Sequence, residues 1–308
     1  MRGSSFISTA LKGAAMGVAE VIPGVSGGTI AFITGIYERL LASISSIGPG
    51  PLKTWKTGRS AAVWKQLDGN FLLALLIGML FGLIAGVFGV SYILEHYPPI
   101  IWSFFFALII ASSIYMIRQV NSWSIPNAIL LVLGVGIAYG ITVLVPSNGS
   151  EALWFVYLSG CLAITALILP GISGSFILLL LGMYTFVIPT VKTFLKTGSM
   201  DALTVVLVFG FGCITGVVLF SRVLTYVFKN YKNATIALLT GFMIGSLNKI
   251  WPWRVCGEEL VLEDKVKCIR ELNVLPAAYP HDSMLVAALL AFAVGIILVW
   301  FLAKSDQS

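Results

Sequence analysis

Three side chains with chemical capacity crowd into EVIPGVSGGT, residues 20–29, inside an otherwise apolar segment: the carboxylate of Glu20 and the hydroxyls of Ser26 and Thr29. Pro23 removes a backbone donor, and Gly24, Gly27 and Gly28 let the chain turn sharply, so a helix must end there and another must start near Ser26. A helix that restarts inside a protein presents free N–H groups and the positive end of its dipole. That combination holds anions, above all phosphate or carboxylate. Ser26 and Thr29 are three residues apart, share a helical face and can donate to the same anion; Ser26 also fits a simple N-cap. Glu20, an acid at membrane depth, is a candidate for carrying a coupling proton or Na+.

The pattern occurs twice. AEVIPGVSGGTIAFITGIY (19–37) matches ALILPGISGSFILLLLGMY (166–184) without gaps, pairing Pro23, Gly24, Ser26, Gly27, Gly35 and Tyr37 with Pro170, Gly171, Ser173, Gly174, Gly182 and Tyr184. Ser175 replaces Gly28 and Phe176 replaces Thr29. The candidate anion contacts are therefore Gly24, Ser26, Gly27, Gly28 and Thr29 in the first copy and Gly171, Ser173, Gly174 and Ser175 in the second, with Pro23 and Pro170 as the breaks. Weaker echoes follow: FGLIAGVFGVSYIL (81–94) parallels FGCITGVVLFSRVL (211–224), and ALIIAS (107–112) parallels GFMIGS (241–246). In this register Gly82 and Gly86 match Gly212 and Gly216, and Arg222 matches Tyr92. Charge breaks the symmetry, because Leu167 stands where the first copy has Glu20, and only the second carries Arg222. Arg222 is a candidate phosphate contact through its bidentate fork; a pair with Glu20, or a reach to the membrane surface, would also satisfy it.

These residues need a membrane around them. Of 308 residues 58% are hydrophobic and 10% charged, where a soluble domain carries roughly 25% charged residues. Runs near 70–93, 99–118, 125–145, 203–228, 234–250 and 283–303 approach or exceed the about 20 residues that cross a bilayer. The apolar regions 5–47 and 152–195 are each broken in the middle, which predicts re-entrant hairpins. MRGSSFISTALKGAAMG, which has signal-like features, reads as the first arm of a broken helix kept in the mature chain. The expected fold is all-α and integral to the membrane, in two halves, 1–148 and 149–308, each a broken hairpin plus three spans. Three is odd, so the second half is expected upside down, the architecture of secondary transporters.

The net charge of +6 gathers at the ends of apolar runs, as the positive-inside bias requires, so no nucleic-acid partner is implied. Lys53, Lys56, Arg59 and Lys65 put their linker, and both termini, in the cytoplasm. Glu38, Arg39 and Lys12 read as interfacial. Cys161 and Cys213 lie in apolar segments; Cys256 and Cys268 lie in the loop 251–282, assigned outside, where an oxidising compartment lets them pair. No metal-binding His–Glu motif or phosphate-binding P-loop appears. Both G-x-S-G stretches fit the nucleophile motif of rhomboid-type intramembrane proteases, but that chemistry needs a base beside the serine. His96 and His281 both fall in outside loops. A transporter or channel for another anionic lipid or small anion would use the same dipoles, and a channel does not need inverted halves.

EVIPGVSGGTIAFITGIYERL, PGISGS with LGMY, and FSRVLTYVFKNY followed by LLTGFMIGSLNKIWPW resemble the PopT family of bacterial and archaeal membrane proteins. The resemblance covers nearly the whole chain. It implies a transporter that returns undecaprenyl phosphate, the lipid carrier of cell-wall sugars, from the outer to the cytoplasmic leaflet of the inner membrane, with no cofactor. Proton or sodium coupling through Glu20 and assembly into an oligomer are both compatible with it.

Overall fold

The computed structural model describes residues 5–22, 26–48, 50–51, 54, 60–262 and 265–307. Pro23 and Gly24, and the basic residues Lys53, Lys56 and Arg59 of the linker, lie outside the described residues. The chain is mostly helical. In the first half, α1 (Phe6–Glu20) ends at the break, α2 (Gly27–Ile33) restarts after it, and α3 (Tyr37–Ser45) follows a turn at Gly35, which has φ +68°. After α4 (Ser60–Gln66) come α5 (Gly69–His96), α6 (Pro98–Arg118) and α7 (Ile125–Val143). Then follow α8 (Leu153–Ile168), α9 (Gly174–Leu180), α10 (Tyr184–Thr197), α11 (Met200–Asn230), α12 (Lys232–Ser246) and α13 (Leu285–Gln307). The short helices α2 and α9 have seven residues each, and α9 and α10 bend by 112°.

Among the described residues, five helices (α5, α6, α7, α11 and α13) are long and apolar enough to cross a membrane. The expected span 234–250 is the exception. Its helix α12 stops at Ser246 after 15 residues, with ten of them buried, and the turn to Ile250 completes the apolar run. α12 is shielded by neighbouring helices, so its length need not match the bilayer. The loop 251–282 is not all coil. It contains an antiparallel hairpin, β1 (Arg254–Leu262) and β2 (Lys265–Asn273), in which Glu259 faces Cys268. Cys256 is disulfide-bonded; the side chain of Cys268 lies outside the described residues, and Cys161 and Cys213 are free thiols.

Packing follows the glycines. α1 lies on α5, and α8 lies on α11. A Cβ at Gly13, Gly78 or Gly82 would run into the carbonyl oxygens of Leu75, Ala10 and Ala14; at Gly160, Gly212 or Gly216 it would meet those of Phe209, Tyr157 and Cys161. Only glycine permits this approach. The contacts recur at one offset along α1/α8 (10 to 157, 13 to 160, 14 to 161) and one along α5/α11 (75 to 209, 78 to 212, 82 to 216). The partner of Gly212 and Gly216 is therefore Gly78 and Gly82, one helical turn before the register read from the sequence, and Arg222 corresponds to Phe88 instead of Tyr92. Two further helix pairs pack through glycines: α7 on α12 through Gly134, Gly241 and Gly245, and α6 on α13 through Gly295.

Candidate functional site

The two breaks touch. Ser26, extended at φ −122° and ψ 145°, caps α2 by accepting from the Thr29 N–H at 3.4 Å. Its own hydroxyl donates to the carbonyl of Leu169, in the second break, at 3.0 Å. The Thr29 hydroxyl accepts from the Gly171 N–H at 3.1 Å, and the Tyr37 hydroxyl donates to the Ile168 carbonyl at 3.1 Å. Ser26 and Thr29 are both 0% exposed. Gly28 lies so close that a Cβ would strike the Ile168 oxygen. Gly171 takes φ +82°, a conformation other residues rarely adopt, and an added Cβ there would sit 2.8 Å from the Met243 Cα of α12. Side chains of the first half thus satisfy backbone groups that Pro170 and the turn at Gly171 leave without helical partners.

Glu20 is turned onto the helix that follows it. Its Oε1 accepts from the Gly27 N–H at 2.6 Å, so a carboxylate occupies the positive end of α2. Lys12, also on α1, donates from Nζ to the Thr34 carbonyl at 2.6 Å, at the negative end of the same helix. α2 is therefore bracketed by an acidic side chain at its positive end and a lysine at its negative end. The second half has neither. Leu167 lies against Gly174 where Glu20 lies against Gly27. Ser159 stands in the place of Lys12, and its hydroxyl is buried with no hydrogen-bond partner among the described residues. Ser173, 3% exposed, makes no side-chain cap; its hydroxyl pairs with that of Ser175 at 2.9 Å. Ser175 itself is exposed. One half-helix has both ends met by side chains of α1, while the other keeps two hydroxyls beside an uncapped start.

The comparisons with known proteins bear on this arrangement. The family model VCA0040-like, described as undecaprenyl phosphate translocase-like, matches residues 16–266. The chain belongs to this family. It is 42% identical over 302 residues to a polyprenyl-phosphate transporter of Vibrio cholerae serotype O1, covering 96% of each chain. It is also 34% identical over 259 residues to a polyprenyl-phosphate transporter of Staphylococcus aureus, covering 79% of this chain and 85% of the relative. No solved structure matches it significantly.

Within this family member, Arg222 is not brought to the breaks. Its Nε and Nη2 donate to the carbonyls of Ser45 and Ile47 at 3.3 and 2.6 Å, closing the C-terminal end of α3. Arg222 is exposed, and no ion pair joins it to Glu20 among the described residues. Glu38 pairs with Lys232 at 2.7 Å, and Arg39 with Asp68 at 2.6 Å while stacking over Phe71. Neither Ser26 nor Ser173 has a histidine among its hydrogen-bond partners in the described residues. His96 instead lies 2.9 Å from the Tyr92 carbonyl.

Sequence reasoning missed a second cluster, where the hairpin meets the helices. Lys249 and Arg254 both reach Glu271 Oε2, at 3.0 and 2.6 Å. Burial would raise the Glu271 carboxyl, but the two cations hold it below the usual carboxylate range. The available signal was the pair of cations flanking IWPW, of which Lys249 falls in the expected span 234–250 and Arg254 in the loop after it.

Proposed function

We propose that this protein moves undecaprenyl phosphate from the outer to the cytoplasmic leaflet of the bacterial inner membrane, with both termini in the cytoplasm and residues 1–148 and 149–308 as inverted halves. The names of its relatives support the lipid. The observation that carries the reading is the direct hydrogen bonding between the two breaks. Such lipids cannot flip unaided, because the phosphate would have to enter hydrocarbon. Donors grouped at mid-depth replace water around the headgroup while the tail stays in lipid.

In this reading the arrangement described above is a closed one. Separating the breaks frees the Ser26 hydroxyl, the Thr29 hydroxyl and the Gly171 N–H together, and these with Ser173, Ser175 and the glycine N–H groups of both breaks receive the phosphate. Glu20 competes for the same place, since its carboxylate already holds the Gly27 N–H. A proton or Na+ arriving at Glu20 removes its negative charge, and with it the repulsion of the phosphate, which couples the ion to lipid entry. Arg222, occupied with the end of α3, stays outside the central site.

The test is flipping of labelled undecaprenyl phosphate by purified protein in liposomes. Ser26→Ala combined with Thr29→Val should abolish flipping, and normal flipping by that pair would sink the proposed site. Glu20→Gln keeps an acceptor for Gly27 but not the charge, so its flipping should no longer respond to a pH or Na+ gradient. A full response would remove Glu20 from coupling.

A further inference from the structure

The cluster between the β-hairpin and the helices has features that a simple clamp does not need. The Arg254 side chain is 10% exposed, yet its Nε finds no hydrogen-bond acceptor among the described residues. Its guanidinium lies 4.0 Å from the ring centroid of Trp102, and Nη1 donates to Lys249 O and Glu271 Oε2. Lys249 lies over the ring of Phe176 at 5.1 Å. Phe176 follows Ser175, so this cation borders the start of α9, the half-helix that lacks a carboxylate. Two cations thus share one carboxylate, leaving an excess positive charge among these three groups. Lys249 and Glu271 are 24% and 36% exposed, so an anion can reach them from outside. Ser103 and Trp253, the chain neighbours of Trp102 and Arg254, line an apolar cavity of about 160 Å³ together with Phe106, Trp251, Leu289 and Phe292.

Charge and apolar space side by side fit an amphiphile with an anionic head. We infer that Lys249 and Arg254, together with the adjoining aromatic cavity, form a docking site for the phosphate head and first isoprene units of a polyprenyl phosphate, where the head displaces Glu271. This rests on the transport reading above and adds a station on the hairpin side, before the breaks. Glu271 acts there as a built-in stand-in for the phosphate: it keeps two cations satisfied while the site is empty. A monoester phosphate offers more acceptor oxygens than a carboxylate, and it can reach the Arg254 Nε that Glu271 leaves unused.

The competition gives the test opposite signs. Binding to the full-length protein in detergent is followed by tryptophan fluorescence, with undecaprenyl phosphate, undecaprenol and inorganic phosphate as separate probes, and flipping is measured in liposomes in parallel. Lys249→Gln and Arg254→Gln should each weaken undecaprenyl phosphate binding by about tenfold, the effect of one charge-assisted contact. Glu271→Gln should tighten it, and undecaprenol binding should not change in any variant. A clamp that merely holds the hairpin predicts that all three substitutions act in the same direction, and that result overturns the inference. Inorganic phosphate binding as tightly as the lipid overturns its lipid part. Should Arg254→Gln not fold, Lys249→Gln and Glu271→Gln still decide. Wild-type flipping with unchanged affinity in those two removes the docking site and leaves the transporter; absence of flipping in the wild type removes the transporter instead.

Discussion

Gly28→Ala tests the contact between the breaks most directly. The added methyl has no free direction: it would strike the Ile168 carbonyl oxygen and lie 3.0 Å from the carbon of that carbonyl and 3.3 Å from Ser26 Oγ. Backbone on one side and the start of a helix on the other cannot yield as a side chain would, so the second break must move away. Three hydrogen bonds cross this gap, Ser26 to Leu169, Gly171 to Thr29 and Tyr37 to Ile168, at 3.0 to 3.1 Å. At about 1 kcal/mol net for each, plus about 1–2 kcal/mol for the overpacking, the loss is roughly 4–5 kcal/mol. For a chain of this size that is a fall in Tm on the order of 10 °C. Gly89→Ala is the control, since a Cβ there meets nothing within 4 Å; in a helix it should gain stability by up to about 1 kcal/mol. Thermal melting of both variants in detergent and lipid flipping in liposomes provide the readings. If Gly28→Ala melts with the wild type and flips at the wild-type rate, the breaks are not in backbone contact and the central site loses its basis.

Two other outcomes follow from the same geometry. Arg222→Ala removes only the donors to Ser45 and Ile47, so it should cost about 2 kcal/mol of stability and leave flipping within about twofold; loss of flipping in a well-folded variant would return Arg222 to the substrate path. Glu271 is held below the ordinary carboxylate range in the folded chain, although burial alone would raise it. Its contribution is therefore present above the unfolded-state value and is lost as pH falls through the folded one, so hairpin attachment should be constant at neutral pH and weaken below about pH 4. Hydrogen exchange at Val274, whose N–H donates to the Trp253 carbonyl, measures it, and an acid slope unchanged in Glu271→Gln would assign the effect elsewhere.

Composition and the two Pro-Gly signals were enough to announce a helical membrane protein with paired broken segments, because hydrophobicity and helix breaking are local properties of a residue. The unequal placement of Glu20 and Leu167 was equally legible, since it required only the gapless match of two motifs. What the side chains touch was not. Ser26 and Thr29 look like ligands waiting for an anion, yet their hydroxyls engage Leu169 and Gly171, over 140 positions away, and no local pattern encodes that meeting. The echo between α5 and α11 was read one turn out of register because Gly78, Gly82 and Gly86 are spaced by four, so sliding the match by a turn preserves the glycines. Only the neighbours Ala10, Ala14 and Leu75 decide which turn is in contact. Arg222 shows the same division: its type announced a cation near the membrane, but the carbonyls it satisfies belong to a helix end 175 residues earlier. Sequence determines which residues are costly to bury; the fold decides which of them satisfy one another.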